Sequence, residues 1–261
     1  MLKERIITAL IAVAVLLLVL FVLPRAAAQA VIAVVVLAGA WEWSGFLGAR
    51  ATSVRGLYVG LIAALIGLVT WQAPQLNGLL FQTALVWWIC ALVWTLFYPT
   101  PIPAIVRWGA GVLVLVPLYD ALIVLYIASP AILLGALLIV WAADTGAFVA
   151  GKLFGRVKLA PQISPGKTWE GVIGGLLTVA VLAAAGAYFF EARVAVLVPF
   201  CLAVACASIV GDLTVSMFKR TAGLKDSGSL FPGHGGVLDR VDSVAAAAPL
   251  FALGIAWTGL Q

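Results

Sequence analysis

Charge is what this sequence has least of. Of its 261 residues, 10% are Asp, Glu, Lys or Arg and 65% are hydrophobic, giving a mean hydropathy of +1.20. That balance lies far outside the range of soluble domains, so an integral membrane protein is expected, with no nucleic-acid partner. Cysteine is scarce too: Cys90, Cys201 and Cys206 sit inside apolar runs without C-x-x-C spacing, which argues against a disulfide or a zinc site. The apolar runs lack the two-residue alternation of a membrane barrel, leaving helices as the way to satisfy backbone groups without water. Repeats between the two halves and low-complexity linkers are missing as well, so a single domain over residues 1–261 is expected.

Runs long enough to cross roughly 30 Å of hydrocarbon fall at 6–23, 27–47, 79–97, 105–127, 131–153, 169–190, 194–218 and 242–259, with a shorter one at 56–71. The expectation is an all-α polytopic bundle of about nine transmembrane helices. Lys and Arg gather in loops kept on the cytoplasmic side. With the N-terminus inside, thirteen of the fifteen basic residues fall on that side, and only Arg25 and Arg193 fall outside. Lys3 and Arg5 followed by an apolar run and Ala26–Ala30 resemble a secretory signal, but a run of 18 is long for one. Losing it would leave eight helices in the same orientation. Trp41, Trp43, Trp71, Trp108 and Trp169 lie near expected helix ends, where interfacial anchoring is the expected role. Residues 99–103, Pro-Thr-Pro-Ile-Pro, form a stiff connection.

Polar chemistry concentrates in the second half, in two basic loops at 152–168 and 219–241 that are too long for mere connectors. Asp144 precedes the first, inside a run otherwise suited to lipid. A mid-membrane Asp costs about 2.5–3.5 kcal/mol on insertion scales and marks a protein-lined or watery interior. A helix–helix hydrogen bond is the plainer alternative, and Asp120 is a weaker case of the same kind. Gly166-Lys167-Thr168 suggests a nucleotide loop, yet a Walker motif needs glycine where Pro161 stands. What remains is Ser164 and Thr168 as hydroxyl donors, Lys167 as a point charge, and a helix starting near Trp169 whose N-terminus favours an anion.

The second loop is more specific. Asp212, Ser216 and Lys219 are spaced i, i+4, i+7 and share a helix face, flanked by Arg220. Asp239 and Asp242, three apart, can point to one place at the start of the last helix. Converging carboxylates repel unless a cation joins them, and hard oxygen ligands suit Mg²⁺, which completes its shell with water and substrate phosphates. Between them, Lys225, Asp226, Pro232-Gly233-His234-Gly235-Gly236 and Arg240 mix cations with glycines that let phosphate approach. The positive-inside rule explains the basic residues but not the carboxylates beside them. His234, the sole histidine, is more often a loop hydrogen-bonder than a ligand.

The run S-x-F-K-R-x4-K-D-x-G-x2-F-P-x-H-G-G-V-x-D-R-V-D from Ser216 to Asp242 resembles the signature of the phosphatidate cytidylyltransferase family, the CDP-diglyceride synthases. Asp144-Thr145-Gly146-Ala147-Phe148, Ser164-Pro165-Gly166-Lys167-Thr168-Trp169-Glu170-Gly171 and Gly211-Asp212 also resemble family motifs, in order. The likeness covers residues from about 140 to 243. It implies a nucleotidyltransferase that makes CDP-diacylglycerol and diphosphate from CTP and phosphatidic acid among membrane lipids, in the bacterial cytoplasmic (inner) membrane, as a homodimer. Residues 131–261 would hold the catalytic helices and loops, and 1–130 the lipid-facing or oligomer-forming helices. On this reading Asp212, Asp239 and Asp242 bind the cation, either Mg²⁺ alone or a Mg²⁺ and K⁺ pair. Lys167, Lys219, Arg220, Lys225 and Arg240 face the substrate phosphates, with Ser164 and Ser216 beside them and Asp144, Asp226 and His234 in support. Two rivals stay open. A CDP-alcohol phosphotransferase lacks its D-G-x2-A-R-x8-G-x3-D-x3-D run here, and a transporter would use Asp120 and Asp144 as pathway residues without the expected inverted repeat.

Overall fold

The computed structural model describes residues 2–48, 51–189, 191–228 and 235–258, with side chains described from Leu10 onward except at 72–76 and 256–258. The helices are α1 (Leu2–Phe21), α2 (Arg25–Trp43), α3 (Thr52–Leu96), α4 (Ala104–Ala128), α5 (Pro130–Phe154), α6 (Trp169–Phe189), α7 (Val194–Thr221) and α8 (Leu238–Thr258). A 3₁₀ turn, Ser44–Leu47, extends α2. Among the described residues, seven helical stretches are long and apolar enough to cross a membrane. The chain is a helical multi-pass membrane protein.

The runs expected at 56–71 and 79–97 fall within one continuous helical assignment, α3. It cannot be straight. Tyr58 and Trp94 would then stand about 54 Å apart at 1.5 Å per residue. Instead, Trp94 packs 6.2 Å from Phe218 and Phe218 packs 5.0 Å from Trp43, while Trp43 and Tyr58 close together over Gly111. The chain therefore doubles back between the apolar stretches Thr52–Trp71 and Asn77–Leu96.

This gathers the C-terminal ends of α2, α3 and α7 with the N-terminal ends of α3 and α4. Trp43 Nε1 donates to Arg107 O at 2.9 Å, and Tyr58 stacks edge-on against Trp108 at 5.2 Å. Arg25 donates to Ile127 O, at the opposite ends of α2 and α4. Trp43 is thus fully buried, not an interfacial anchor. Its indole fills the space that Gly111 leaves, and its N–H finds a carbonyl. Trp41, Trp71 and Trp169 are exposed, as an interfacial role requires. All three cysteines are free thiols.

The expected all-helical architecture has one departure. Within the first basic loop, β1 (Lys158–Ala160) and β2 (Ser164–Thr168) pair antiparallel, with Lys158 opposite Thr168 and Ala160 opposite Ser164. Val157 fastens this hairpin to α6: its N–H donates to Glu170 at 3.1 Å and its carbonyl accepts from Trp169 N at 3.0 Å.

Small residues set the spacing of the helices around the hairpin. A Cβ at Gly146 would collide with Thr178, one at Gly174 with Ala150, and one at Gly175 would lie 2.6 Å from Ala143 O. Such side-chain economy lets α5 and α6 approach closely within lipid. Gly211 does the same between α7 and α8, where a Cβ would strike the carbonyl of Asp242.

Candidate active site

Thr168 begins the site's local order. Its Oγ1 accepts from Gly171 N at 3.1 Å, capping the first turn of α6, which leaves its O–H proton available to donate. The cap fixes the end of β2, and with it Lys167. The Lys167 ammonium lies 2.6 Å from Asp212 Oδ2 on α7. Ser216, one turn further along α7, donates to Asp212 Oδ1 at 3.1 Å, as the i, i+4 spacing requires.

Asp144, Ser164, Lys167 and Asp212 line a cavity of about 480 Å³ between α5, α6, α7 and the hairpin. Its remaining wall is largely apolar, with Phe148, Val172, Leu176 and Ile209. Asp144 lies near enough to Asp212 and Lys167 to feel both charges, and Ser243 of α8 hydrogen-bonds it. Asp242 is 7% exposed and accepts from Ser243 N at 2.8 Å. The negative charge of Asp212 and the positive charges of Lys219 and Lys167 all reach it. The close α7–α8 crossing at Gly211 brings these two carboxylates into one field.

Asp239 faces a different set of partners. Its Oδ1 accepts from Lys219 Nζ at 2.7 Å, and its Oδ2 from Ser227 N and Gly236 N, both at 2.9 Å. Asp239 and Lys219 therefore close the base of the signature loop, while Lys219, buried at 8% exposure, still acts on Asp242. Arg220 reaches away from both, donating to Ile163 O at 3.0 Å and thereby tying the hairpin to the end of α7. Lys225, Asp226 and Arg240 are exposed and are not among the residues lining the cavity. His234 lies outside the described residues.

One carboxylate escaped the sequence reading. Glu42, at the end of α2, is 6% exposed and accepts from Ser227 Oγ, Val237 N and Leu238 N at 2.8, 2.9 and 2.8 Å. The cost argument that picks out Asp144 applies to it equally, since it too interrupts an apolar run.

The donor set bears on a metal. Among the described residues, no group of three or more His, Cys, Asp or Glu side chains is arranged to hold an ion. Asp212 and Asp242, like-charged and adjacent in the field, offer hard oxygens. Mg²⁺ commonly uses only one or two carboxylates, filling its shell with water and phosphate oxygens. The residues fit such a site.

A model of the cytidylyltransferase family matches residues 3–257. The chain belongs to that family. A phosphatidate cytidylyltransferase of Pseudomonas aeruginosa is 44% identical, covering 97% of this chain and 96% of its own length. One from Haemophilus influenzae is 35% identical over 96% and 97%. A phosphatidate cytidylyltransferase of Staphylococcus aureus is 48% identical over 45% of this chain. The family match extends well beyond residues 140–243, where the motif likeness lies, across the N-terminal helices.

Proposed function

We propose that this cytidylyltransferase-family protein transfers the cytidylyl group of CTP to phosphatidic acid, releasing diphosphate and forming CDP-diacylglycerol. The observation that carries the reading is the juxtaposition of Lys167 and Asp212, with Asp144, Lys152 and Ser164, on a cavity that also has an apolar wall of Phe148, Val172, Leu176 and Ile209. A charged headgroup and its hydrocarbon can be accommodated side by side there. An oxygen of the lipid phosphate attacks the α-phosphorus of CTP, and the bond from that phosphorus to the β-phosphate bridge breaks. The lipid phosphate is ionised at neutral pH, so no general base is needed.

The chain's residues position and neutralise. Lys167 and Lys219, now held by Asp212 and Asp239, present ammonium groups that can trade a carboxylate oxygen for a phosphate oxygen. Ser164 and Ser216 lie beside them as hydroxyl donors. Asp212 and Asp242 would hold Mg²⁺, with Asp144 nearby and Asp239 orienting Lys219. When bound, Mg²⁺ supplies charge neutralisation on the triphosphate. K⁺ as a second cation rests on the family resemblance.

An inside N-terminus with nine crossings in the bacterial inner membrane is supported by the end-to-end contacts. Arg55, Arg107, Lys152, Lys167, Lys219 and Arg220 collect at one end of the bundle, while Arg25 reaches the other. A homodimer rests on the family resemblance alone, and the mass of the detergent-purified protein measures it.

Purified protein given phosphatidate, Mg²⁺ and cytidine-labelled CTP should produce lipid-extractable label, and EDTA should abolish it. In sealed vesicles, externally added CTP should be used only when the inner face points outward. Absence of label in lipid sinks the activity; use of CTP by right-side-out vesicles sinks the orientation.

A further inference from the structure

We infer that Glu42 is a positioning residue that holds the signature loop and the start of α8 in the geometry the nucleotide requires. For its kinetic consequence the inference rests on the activity proposed above. Glu42 stands on α2, 185 residues from Ser227 and 196 from Leu238, yet binds both. Its Oε2 accepts from the Ser227 hydroxyl and Leu238 N, and its Oε1 from Val237 N. Leu238 N opens α8, where the first N–H groups lack partners within the helix, and Val237 N lies one residue before it. A carboxylate from another helix thus does the work of a cap, with the added preference of a helix N-terminus for negative charge.

The fit is close. A Cβ at either Gly228 or Gly236 would collide with the Glu42 carboxylate, so bare backbone on both strands of the loop packs against this one side chain. Ser227 is the hinge of the arrangement: its hydroxyl goes to Glu42 and its amide to Asp239 Oδ2, where Gly236 N also binds. The other oxygen of Asp239 holds Lys219, whose charge acts on Asp242. A continuous set of bonds therefore runs from α2, through Ser227 and Asp239, to the ammonium beside the buried carboxylate. Glu42 touches no reacting atom on this account. It acts by fixing where Lys219 and the loop stand.

Glu42→Gln keeps the shape of the side chain but places an NH₂ donor against donors. With phosphatidate, Mg²⁺ and CTP, this variant should raise KM for CTP by about tenfold or more, the effect of unmaking buried charge-assisted hydrogen bonds. KM for phosphatidate should stay within about twofold. Ser227→Ala should raise KM for CTP on its own and add nothing in the Glu42→Gln background, since both remove the same link. Trypsin should cut after the exposed Lys225 faster in Glu42→Gln than in the wild type, because the loop base opens more often. A wild-type KM for CTP with unchanged cleavage at Lys225 overturns the inference. So does an equal loss toward both substrates accompanied by a lowered melting temperature, which would make Glu42 a fold-holding residue only. If the wild type itself makes no CDP-diacylglycerol, the proposed activity fails, and the cleavage rate at Lys225 still decides the clamp.

Discussion

Arg55 and Arg107, on the α2–α4 side, both use their guanidinium groups on the ends of neighbouring elements. Arg55 donates to Trp41 O and Ser44 Oγ, each at 2.9 Å, and lies over the Trp41 ring. Arg107 donates to Phe46 O and Ile102 O, each at 3.0 Å. On the α5–α8 side, Lys167 and Lys219 sit instead on Asp212 and Asp239. A planar fork with several fixed donors suits permanent carbonyl contacts, whereas an ammonium on a flexible stem exchanges partners readily. On the proposed function, equal charge at the same end of the bundle thus serves fastening in one region and substrate contact in the other. Arg220, in the signature, also donates to a carbonyl, that of Ile163 in the hairpin.

The comparison breaks most severely if the lysine–carboxylate side can be neutralised without consequence. Asp212→Asn removes one negative charge from the field shared with Asp144 and Asp242 and weakens the hold on Lys167. Turnover should fall by about 10²–10³-fold or more, the scale of losing one charge-organising group in a water-poor site. The variant should insert and keep its helical circular dichroism. Near-normal turnover of phosphatidate and CTP would remove Asp212 from the machinery.

An intermediate effect should come from the spacing between α7 and α8. Gly211→Val would drive a side chain into the Asp242 carbonyl and force the two helices apart, separating Asp212 from Asp242. Overpacking of this kind costs about 1–3 kcal/mol. Turnover should fall by about tenfold, with a melting temperature lowered in step, and Gly211→Ala should fall between valine and wild type. Equal turnover in all three would mean that the α7–α8 distance does not matter to the reaction.

Much of this was legible in the chain, and the failures have physical causes. The start of α6 at Trp169 and the common face of Asp212 and Ser216 follow from local rules, and both hold. Asp144 was visible because a carboxylate in lipid is costly. Glu42 was equally costly, but it stands near the end of its run and its partners lie nearly two hundred residues away, where no local pattern reaches. The i, i+3 spacing placed Asp239 beside Asp242, yet Asp239 occupies the first turn of α8, within reach of loop amides that its spacing does not reveal. The hairpin escaped for a similar reason: a three-residue strand paired across a turn containing Pro161 carries too little alternation to register. Trp43 looked like its interfacial neighbours until Gly111 supplied a place to bury it.

The smallest effect on chemistry belongs to the fasteners. Arg107→Ala would release Phe46 O and Ile102 O and leave the carbonyl-capping role at the start of α4 unfilled. Hydrogen bonds between membrane helices average less than 1 kcal/mol in double-mutant cycles and those from charged donors somewhat more, so a stability loss of about 1–3 kcal/mol is expected. That should lower the melting temperature in detergent while KM for CTP and for phosphatidate stay within about twofold. Arg107→Lys should not restore the loss, because one ammonium cannot span two carbonyls in the fork geometry that a guanidinium provides. A large rise in KM for CTP with unchanged stability would place Arg107 with the lysines and dissolve the division between the two regions.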